Sequence, residues 1–157
     1  MIPKIKRVLY ATDLSENSMY SFRYAVNTIE KHDAEMIVLH VIEDIPPAVW
    51  AYGMLDRDVA DIKEGTMKKL NHRLDEFCKS ELREKPECLK RIRGVEVKKG
   101  FPAEEILKVA DEQKCDVIIM GTHGKGLLTH TFLGSVAERV LRRSRKPIFI
   151  IPLPEKE

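Results

Sequence analysis

Cysteine, long apolar runs and net charge are all scarce in this 157-residue chain. The three cysteines, Cys78, Cys88 and Cys115, lie far apart and form no CxxC pair, which excludes the usual zinc and disulfide spacings and indicates free thiols. No apolar run approaches the ~18 residues of a membrane-spanning helix. The net charge is only +2, so no strong field attracts nucleic acid or membranes. We therefore expect a cytoplasmic protein that binds neither.

The composition and the pattern of apolar residues predict one globular α/β domain over residues 1–157. Charged residues make up 33% and apolar residues 43% of the chain, which is typical of a folded soluble domain. Apolar runs rich in β-branched residues predict strands at 8–11, 36–41, 95–97, 117–120 and 148–151. The second, fourth and fifth runs are almost continuously apolar, as in strands that are covered on both faces.

Four amphipathic patterns between these runs predict helices. The first is predicted to open with Ser15 as its N-cap and to bury Met19, Phe22, Val26 and Ile29. The second must end before Pro86, and its predicted apolar face consists of Leu55, Val59, Ile62, Leu70, Leu74 and Phe77. The third opens at Pro102, and the fourth runs from about Val136 to Ser144.

Strands and helices that alternate in this way form a doubly wound parallel sheet with helices on both faces. Such sheets bind ligands beyond the carboxyl ends of the strands, where the winding reverses. Two strand exits carry chemically informative residues: Thr12-Asp13 after the first strand and Gly121 to Gly126 after the fourth. If those strands are neighbours, both exits border one crevice, which is the candidate site.

The segment from Gly121 to Ser135 contains four of the eight glycines. It leads into Ser135-Val136-Ala137-Glu138, a Ser-x-x-Glu pattern that predicts a capping box. Two interpretations are open: a turn before a well-capped helix, or a glycine-rich backbone that holds phosphate at a helix N-terminus. The familiar phosphate motifs are missing, since the chain has neither GxGxxG after its first strand nor GxxxxGK[ST].

The glycine spacing resembles that of a known family. Gly121-x2-Gly124-x9-Gly134-Ser135 matches the G-x2-G-x9-G-[S/T] pattern of the ATP-binding branch of the universal stress proteins. The stretches VLYATDLSENS, VLHVIE, GFPAEEILKVADEQKCDVIIMGTHGKG and LGSVAERVLRRSRKPIFIIP are also similar to that family. The resemblance implies a five-stranded sheet in the order 3-2-1-4-5, and thus adjacent first and fourth strands.

The resemblance also implies a set of nucleotide-binding residues. It implies that Asp13 lies near the ribose, that Ala11 and Thr12 lie near the base, and that Val41, at the end of the second strand, offers its backbone to adenine. The implied loop around the ribose and phosphates consists of Met120, Gly121, Thr122, His123, Gly124 and Lys125. Gly134, Ser135 and Val136 are implied to hold the β- and γ-phosphates of ATP, or the phosphates of AMP or ADP. An accompanying Mg²⁺ or Mn²⁺ would be held by the phosphates, with no metal ligand from the protein.

Several of these residues also have simpler interpretations. Asp13 could serve only as a cap at a helix entry. His123, between two loop glycines, is better explained by loop conformation or phosphate contact than by base catalysis, because no partner acid is evident. His40, in an apolar strand, is expected to be a hydrogen-bonded core histidine. The cations from Arg139 to Lys146 are expected to compensate the dipole at a helix C-terminus. Trp50 is a loop anchor or part of a lid or interface.

The resulting functional hypothesis is an ATP-binding stress-response module that acts as a nucleotide-regulated homodimer. The dimer is expected to form through the last strand, Ile148 to Ile151, because an apolar edge strand invites pairing with another chain. The alternative is an ATP-hydrolysing or adenylate-transferring enzyme, although the chain lacks SGGxDS-type and HIGH-type motifs. A third possibility, an interaction protein with a vestigial loop, is disfavoured by the intact Gly121, Gly124, Gly134 and Ser135.

Overall fold

Strands and helices alternate strictly along the residues described by a computed structural model, which are 1–43, 56–81, 90–122 and 133–152. In chain order they are β1 (Arg7–Thr12), α1 (Glu16–His32), β2 (Glu35–Glu43), α2 (Asp56–Glu81), β3 (Ile92–Gly100), α3 (Pro102–Glu112), β4 (Val117–Gly121), α4 (Ser135–Arg143) and β5 (Ile148–Ile151). Each predicted strand and helix is present in the described residues, so the predicted order is confirmed.

The five strands form one parallel sheet in the order β3-β2-β1-β4-β5. The expected order is thus confirmed, and β1 and β4 are neighbours. The chain winds outward from β1 to β3, returns to β4 on the other side of β1, and continues to β5. The winding reverses between β1 and β4, which is where such sheets open a crevice at their carboxyl ends.

The sheet buries apolar side chains on both of its faces because successive strand residues point to opposite sides. Val8 and Tyr10 of β1 pack with α1 and α2, whereas Leu9 and Ala11 pack with α3 and α4. Three aromatic rings pack together on the first face. The ring centroids of Tyr10 and Phe22 lie 5.0 Å apart, and those of Phe22 and Phe77 lie 4.7 Å apart. Removal of a buried ring such as that of Phe22 would cost about 3–5 kcal/mol in unfolding free energy.

Helix α1 begins at the N-cap that its sequence predicts. The Ser15 hydroxyl is the N-cap and accepts the backbone N–H of Ser18 at 3.1 Å. At the other end, Asp33 adopts a left-handed conformation with φ 54°, and its N–H donates to the carbonyl of Ile29. Within the helix, Phe22 and Ile29 are fully buried. Local capping and amphipathicity therefore account for this helix.

Helix α2 follows its predicted apolar face only in its second half. Leu70, Leu74 and Phe77 are buried, but Ile62 is 38% exposed, so the prediction was wrong there. Leu55 lies outside the described residues. The 26-residue helix is about 39 Å long, whereas a nine-residue strand spans only about 30 Å. The helix overruns the sheet, and the overrunning part has less apolar surface to cover.

Two expectations from composition can be compared with the described residues. Cys78 and Cys115 are free thiols, as expected, and Cys88 lies outside those residues. Burial raises the pKa of the Cys115 thiol to about 11, so this thiol stays protonated at neutral pH. Among the helices that the structure describes, none is sufficiently long and apolar to cross a membrane.

Candidate functional site

A cavity of about 790 Å³ lies at the carboxyl ends of β1, β2 and β4. We call it the main cavity. It is lined by every predicted site residue that the structure describes: Ala11, Thr12, Asp13, Val41, Met120, Gly121, Thr122, Gly134, Ser135 and Val136. The remaining three, His123, Gly124 and Lys125, lie outside the described residues, as does Trp50. The fold therefore brings together segments that are separated by more than a hundred residues in the chain.

A fixed turn forms the exit of β1. The Thr12 hydroxyl accepts the N–H of Leu14 at 3.0 Å and lies 2.7 Å from the Ser18 hydroxyl. Leu14 has a positive φ of 64°, an uncommon conformation for a side-chain-bearing residue. The buried Tyr10 hydroxyl donates to the Ser18 carbonyl, and burial raises the pKa of Tyr10. The Thr12 hydroxyl is thus used to hold the turn.

Asp13 has one carboxylate oxygen occupied and one open. Oδ1 accepts both the N–H of Ser15 at 3.0 Å and its hydroxyl at 2.6 Å. Oδ2 is buried and has no hydrogen-bond partner among the described residues. Ser15 rather than Asp13 is the N-cap of α1, and Asp13 contributes to the helix entry by holding Ser15. A buried acceptor without a donor costs about 1–3 kcal/mol, so Oδ2 is available to a ligand's donor.

Backbone hydrogen bonds hold both ends of the glycine-rich segment. The N–H of Thr122 donates to the carbonyl of Ile151 at 3.0 Å, which attaches the end of β4 to β5. The N–H of Gly134 donates to the carbonyl of Thr122 at 2.6 Å, which closes the segment between them. The amide of Gly134 is therefore already occupied. Any phosphate at this end would be held by the amides that follow it.

The start of α4 differs from the predicted capping box. Gly134, with φ −68° and ψ 160°, is the N-cap, and Ser135 is the first helical residue, without a side-chain cap. The first intrahelical bond runs from the N–H of Glu138 to the carbonyl of Gly134 at 2.9 Å. The Ser-x-x-Glu pattern is local, so it does not reveal that the hydrogen bond to Thr122 fixes Gly134 at the cap position. The N–H groups of Ser135, Val136 and Ala137 consequently have no partner within the helix.

The opposite end of the main cavity is mostly apolar, with walls from Leu39, Ile106 and Met120. Val41 is the first residue of β2 beyond its pairing with β1, and it still pairs with Lys98 of β3. It does not end the strand as expected, because the pairing with β3 continues to Glu43. An apolar wall beside an exposed strand backbone suits a flat heteroaromatic ring.

His40 is buried beside this apolar wall. Its Nδ1 lies 2.8 Å from the carbonyl of Thr12, so Nδ1 carries the hydrogen, since a carbonyl oxygen only accepts. The expectation of a hydrogen-bonded core histidine is confirmed. His40 also lines the main cavity, which the sequence did not indicate.

Sequence reasoning missed part of the lining because most of those residues lie on helices or on strand positions without a motif. They are Ser18, Leu39, His40, Ile42, Glu43, Thr66, Pro102, Ile106, Leu133, Ala137 and Glu138. Thr66 comes from α2 and Pro102 from the start of α3, so only the packing of these helices brings them to the cavity. The predicted strand order was the one signal that could have suggested these lining residues, because it indicates which helices lie near the ends of β1 and β4.

The described residues contain no cluster of three or more His, Cys, Asp or Glu side chains that could hold a metal ion. The site instead offers hydrogen-bond donors at the start of α4 and an open acceptor on Asp13.

This geometry defines the class of protein: a doubly wound α/β protein with its binding crevice where the winding reverses. Residues 4–152 match the model of the universal stress protein family, and the chain belongs to that family. Universal stress protein MJ0577 of Methanocaldococcus jannaschii is 33% identical over 93% of this chain and 94% of its own. Universal stress protein MJ0531 of the same organism is 29% identical over 97% of this chain and 85% of its own.

Solved structures show the same fold. The structure of MJ0577 superposes with a TM-score of 0.65 at 29% identity and covers 98% of this chain and 100% of its own. A universal stress protein in complex with cAMP has a TM-score of 0.58 at 20% identity and covers 96% of this chain and 98% of its own. The Archaeoglobus fulgidus protein in complex with dAMP has a TM-score of 0.51 at 17% identity and covers 98% and 100%. At these lower identities the likeness concerns the fold.

Proposed function

We propose that this chain is a single-domain, cytoplasmic stress-response module that binds an adenine nucleotide, foremost ATP, in the main cavity. One observation carries the proposal: the same cavity contains a buried, open carboxylate oxygen and an uncapped helix N-terminus. A nucleoside has hydroxyl donors for the first, and its phosphates are acceptors for the second. Solved family members in complex with cAMP and dAMP are consistent with this ligand class.

The parts of the nucleotide are assigned by the chemistry of each wall. The base would lie against the apolar wall, near Ala11 and Thr12 and the backbone of Val41. The ribose would donate a hydroxyl hydrogen to Asp13 Oδ2, which has no other partner among the described residues. The phosphates would accept the N–H groups of Ser135 and Val136 and the Ser135 hydroxyl. Met120, Gly121 and Thr122 form the side of the cavity between these ends.

The ligands of the divalent cation are proposed to come from the nucleotide rather than from the protein. Because the described residues provide no metal cluster, Mg²⁺ or Mn²⁺ would be coordinated by the phosphates. Removal of divalent cations with a chelator should therefore weaken the binding of ATP and leave the binding of adenosine unchanged. Equal loss for both ligands would show that the cation has another role.

The contacts of two cavity carboxylates, Asp13 and Glu138, favour a binding role over hydrolysis. Asp13 Oδ1 is held by Ser15, and Glu138, in the first turn of α4, is paired with Arg142 at 2.8 Å. Because Asp13 Oδ2 is assigned to the ribose and Glu138 is paired, we propose neither as a base at the phosphates. Glu43 is the third carboxylate that lines the main cavity. We expect at most slow phosphate release from ATP, measured with an enzyme-coupled phosphate assay.

The switch is proposed to be a homodimer joined through β5. This strand is at one edge of the sheet, with Phe149 39% exposed, and Pro147 and Pro152 limit how far a partner strand could extend the pairing. Sedimentation at tens of micromolar should give the mass of a dimer, and a monomer at that concentration would contradict this part of the proposal.

The nucleotide itself is tested first. The purified protein should release an adenine nucleotide when it is denatured and the supernatant is chromatographed. Protein freed of that ligand should bind ATP and adenosine in calorimetric titrations. Binding of neither compound would refute the proposed function.

A further inference from the structure

A smaller cavity of about 390 Å³ adjoins the main cavity beside the first turns of α4. The two cavities share four lining residues: Glu43, Pro102, Ser135 and Val136. The smaller one is also lined by Arg139 and Arg143, one and two turns farther along α4, and we call it the side groove. The side groove therefore begins at the backbone amides that are proposed to hold the phosphates.

The arginines of α4 differ in their partners. Arg143 pairs with Glu104 of α3 at 3.4 Å, and Arg142, outside the side groove, pairs with Glu138 at 2.8 Å. Arg139 forms no ion pair or hydrogen bond with any residue that the structure describes. Its guanidinium is therefore the α4 charge in the side groove that remains available to a ligand.

The helix geometry aligns Arg139 with the proposed phosphate-binding amides. Arg139 follows Ser135 by four residues, which places it about 6 Å farther along the axis and on the same face of α4. A phosphate chain that leaves the amides of Ser135 and Val136 and enters the side groove would meet Arg139 next. A guanidinium binds phosphate oxygens through two parallel hydrogen bonds.

We propose that Arg139 contacts the terminal phosphate of the bound nucleotide and makes the protein prefer triphosphates to monophosphates. The inference rests on the proposed function, and it adds a specificity-determining residue outside the glycine motif. A monophosphate would end at the start of α4 and leave Arg139 unused. The preferred order is then ATP, ADP, AMP.

The expected gain is limited by two features of the side groove. Arg139 is exposed, so water and salt weaken its attraction for phosphate. Glu43 lies at the junction of the two cavities and brings a negative charge toward the phosphate chain. We therefore expect Arg139 to contribute about five- to tenfold in ATP affinity at low salt, less than a fully buried phosphate contact would.

The test compares two variants with the same change in charge, one within α4 and one just beyond its C-cap, Ser144. Arg139→Gln should weaken ATP binding about five- to tenfold and change AMP binding by less than about twofold. Arg145→Gln, which removes an exposed arginine that lines neither cavity, should leave both affinities unchanged. Arg139→Lys should give an intermediate ATP affinity, because it keeps the charge and loses the paired hydrogen bonds. Calorimetric titration of each nucleotide into each protein measures these differences, and thermal melting confirms that each variant is folded.

The outcomes distinguish a failure of the Arg139 role from a failure of the proposed nucleotide binding. Equal losses for ATP and AMP in Arg139→Gln, or no loss for ATP, would overturn the role of Arg139 while AMP binding still supported the proposed function. An equal loss of ATP affinity in Arg145→Gln would assign the effect to the overall positive charge around α4 and would also overturn it. If neither nucleotide binds the unmodified protein, the proposed function fails and this inference fails with it.

Discussion

The two ends of the sheet treat their polar groups in opposite ways. At the amino end, Glu35 of β2 joins Arg7 of β1 at 3.2 Å and Arg93 of β3 at 3.0 Å, so one carboxylate links three strands. Asp116 accepts the N–H groups of Lys6 and Arg7 at 2.7 and 2.9 Å through a single oxygen, just before β4 begins. Charges and amides at this end are largely used in contacts within the protein, and the exception is the buried Nε of Arg7, which has no hydrogen-bond partner among the described residues.

The carboxyl end leaves comparable groups open. Asp13 Oδ2 has no partner among the described residues, and α4 begins without a side-chain cap. These unused groups cost stability, whereas the pairs at the amino end add to it. The contrast indicates that one end of the sheet mainly serves the fold, whereas the other leaves groups available to the ligand that we propose. Substitutions at the two ends should therefore separate stability from binding.

Gly134→Val should cause the largest loss of nucleotide binding at the carboxyl end. The φ of −68° at Gly134 is accessible to valine, so the protein should still fold, although valine is a poorer cap. The new side chain would occupy the space proposed for the phosphates. Loss of two charge-assisted hydrogen bonds predicts a fall in ATP affinity of about a hundredfold or more, with a much smaller effect on adenosine.

Calorimetric titration of both ligands checks this prediction, after circular dichroism has confirmed the fold. Gly65→Ala is the matched control, because a Cβ at Gly65 meets no other atom within 4 Å. It should leave both affinities unchanged and add about 0.5–1 kcal/mol to the stability of α2. Equal losses for ATP and adenosine in Gly134→Val would contradict a phosphate-binding role for this position.

At the amino end, Asp116→Ala should lower the stability of the fold and leave nucleotide affinity nearly unchanged. It leaves the amides of Lys6 and Arg7 without their acceptor, so we expect unfolding free energy to fall by about 2 kcal/mol. Nucleotide affinity should stay within about twofold of the unmodified value. Urea denaturation together with titration of ATP measures both quantities. A loss of affinity as large as the loss of stability would show that the two ends are coupled.

Asp13→Asn sharpens the comparison by changing one oxygen. The amide can keep its oxygen toward Ser15, whereas an NH₂ group replaces the open acceptor Oδ2. We expect adenosine and ATP to lose affinity alike, by about tenfold, with little change in the melting temperature. If the melting temperature falls and affinity does not change, Asp13 serves only the turn into α1.

Glu35→Gln should have the smallest effect. Hydrogen bonds from Arg93 and Arg7 lower the pKa of Glu35, so its ionised form stabilises the fold above the pKa of the unfolded chain. That contribution is lost as the pH falls through the lowered pKa of the folded state. The variant should be less stable at neutral pH by less than about 1 kcal/mol, because the side chain is half exposed, and the difference should vanish in acid. Thermal melting at several pH values measures it.

The fold was largely predictable because its determinants are local and repeated. Continuous apolar runs marked the buried strands, and Ser15, Pro102 and the amphipathic faces marked the helices. The approximate site was also predictable, since Asp13 and the glycine segment follow two strands whose adjacency the family resemblance implied. The errors fell where a distant contact overrides a local pattern, as at Ser135, where the Thr122 carbonyl holds Gly134 as the cap.

The residue pattern was sufficient to predict a parallel α/β sheet with two polar strand exits. That these exits border one crevice followed only with the strand order implied by the family resemblance. Periodicity and turn chemistry are encoded over a few residues, so they can be interpreted without coordinates. Only the tertiary structure decided which groups stay open there. Whether Asp13 Oδ2 finds a donor, or Arg139 a carboxylate, depends on side chains brought together from distant segments. No local pattern records that balance, because hydrogen bonds and ion pairs are satisfied in space rather than along the chain.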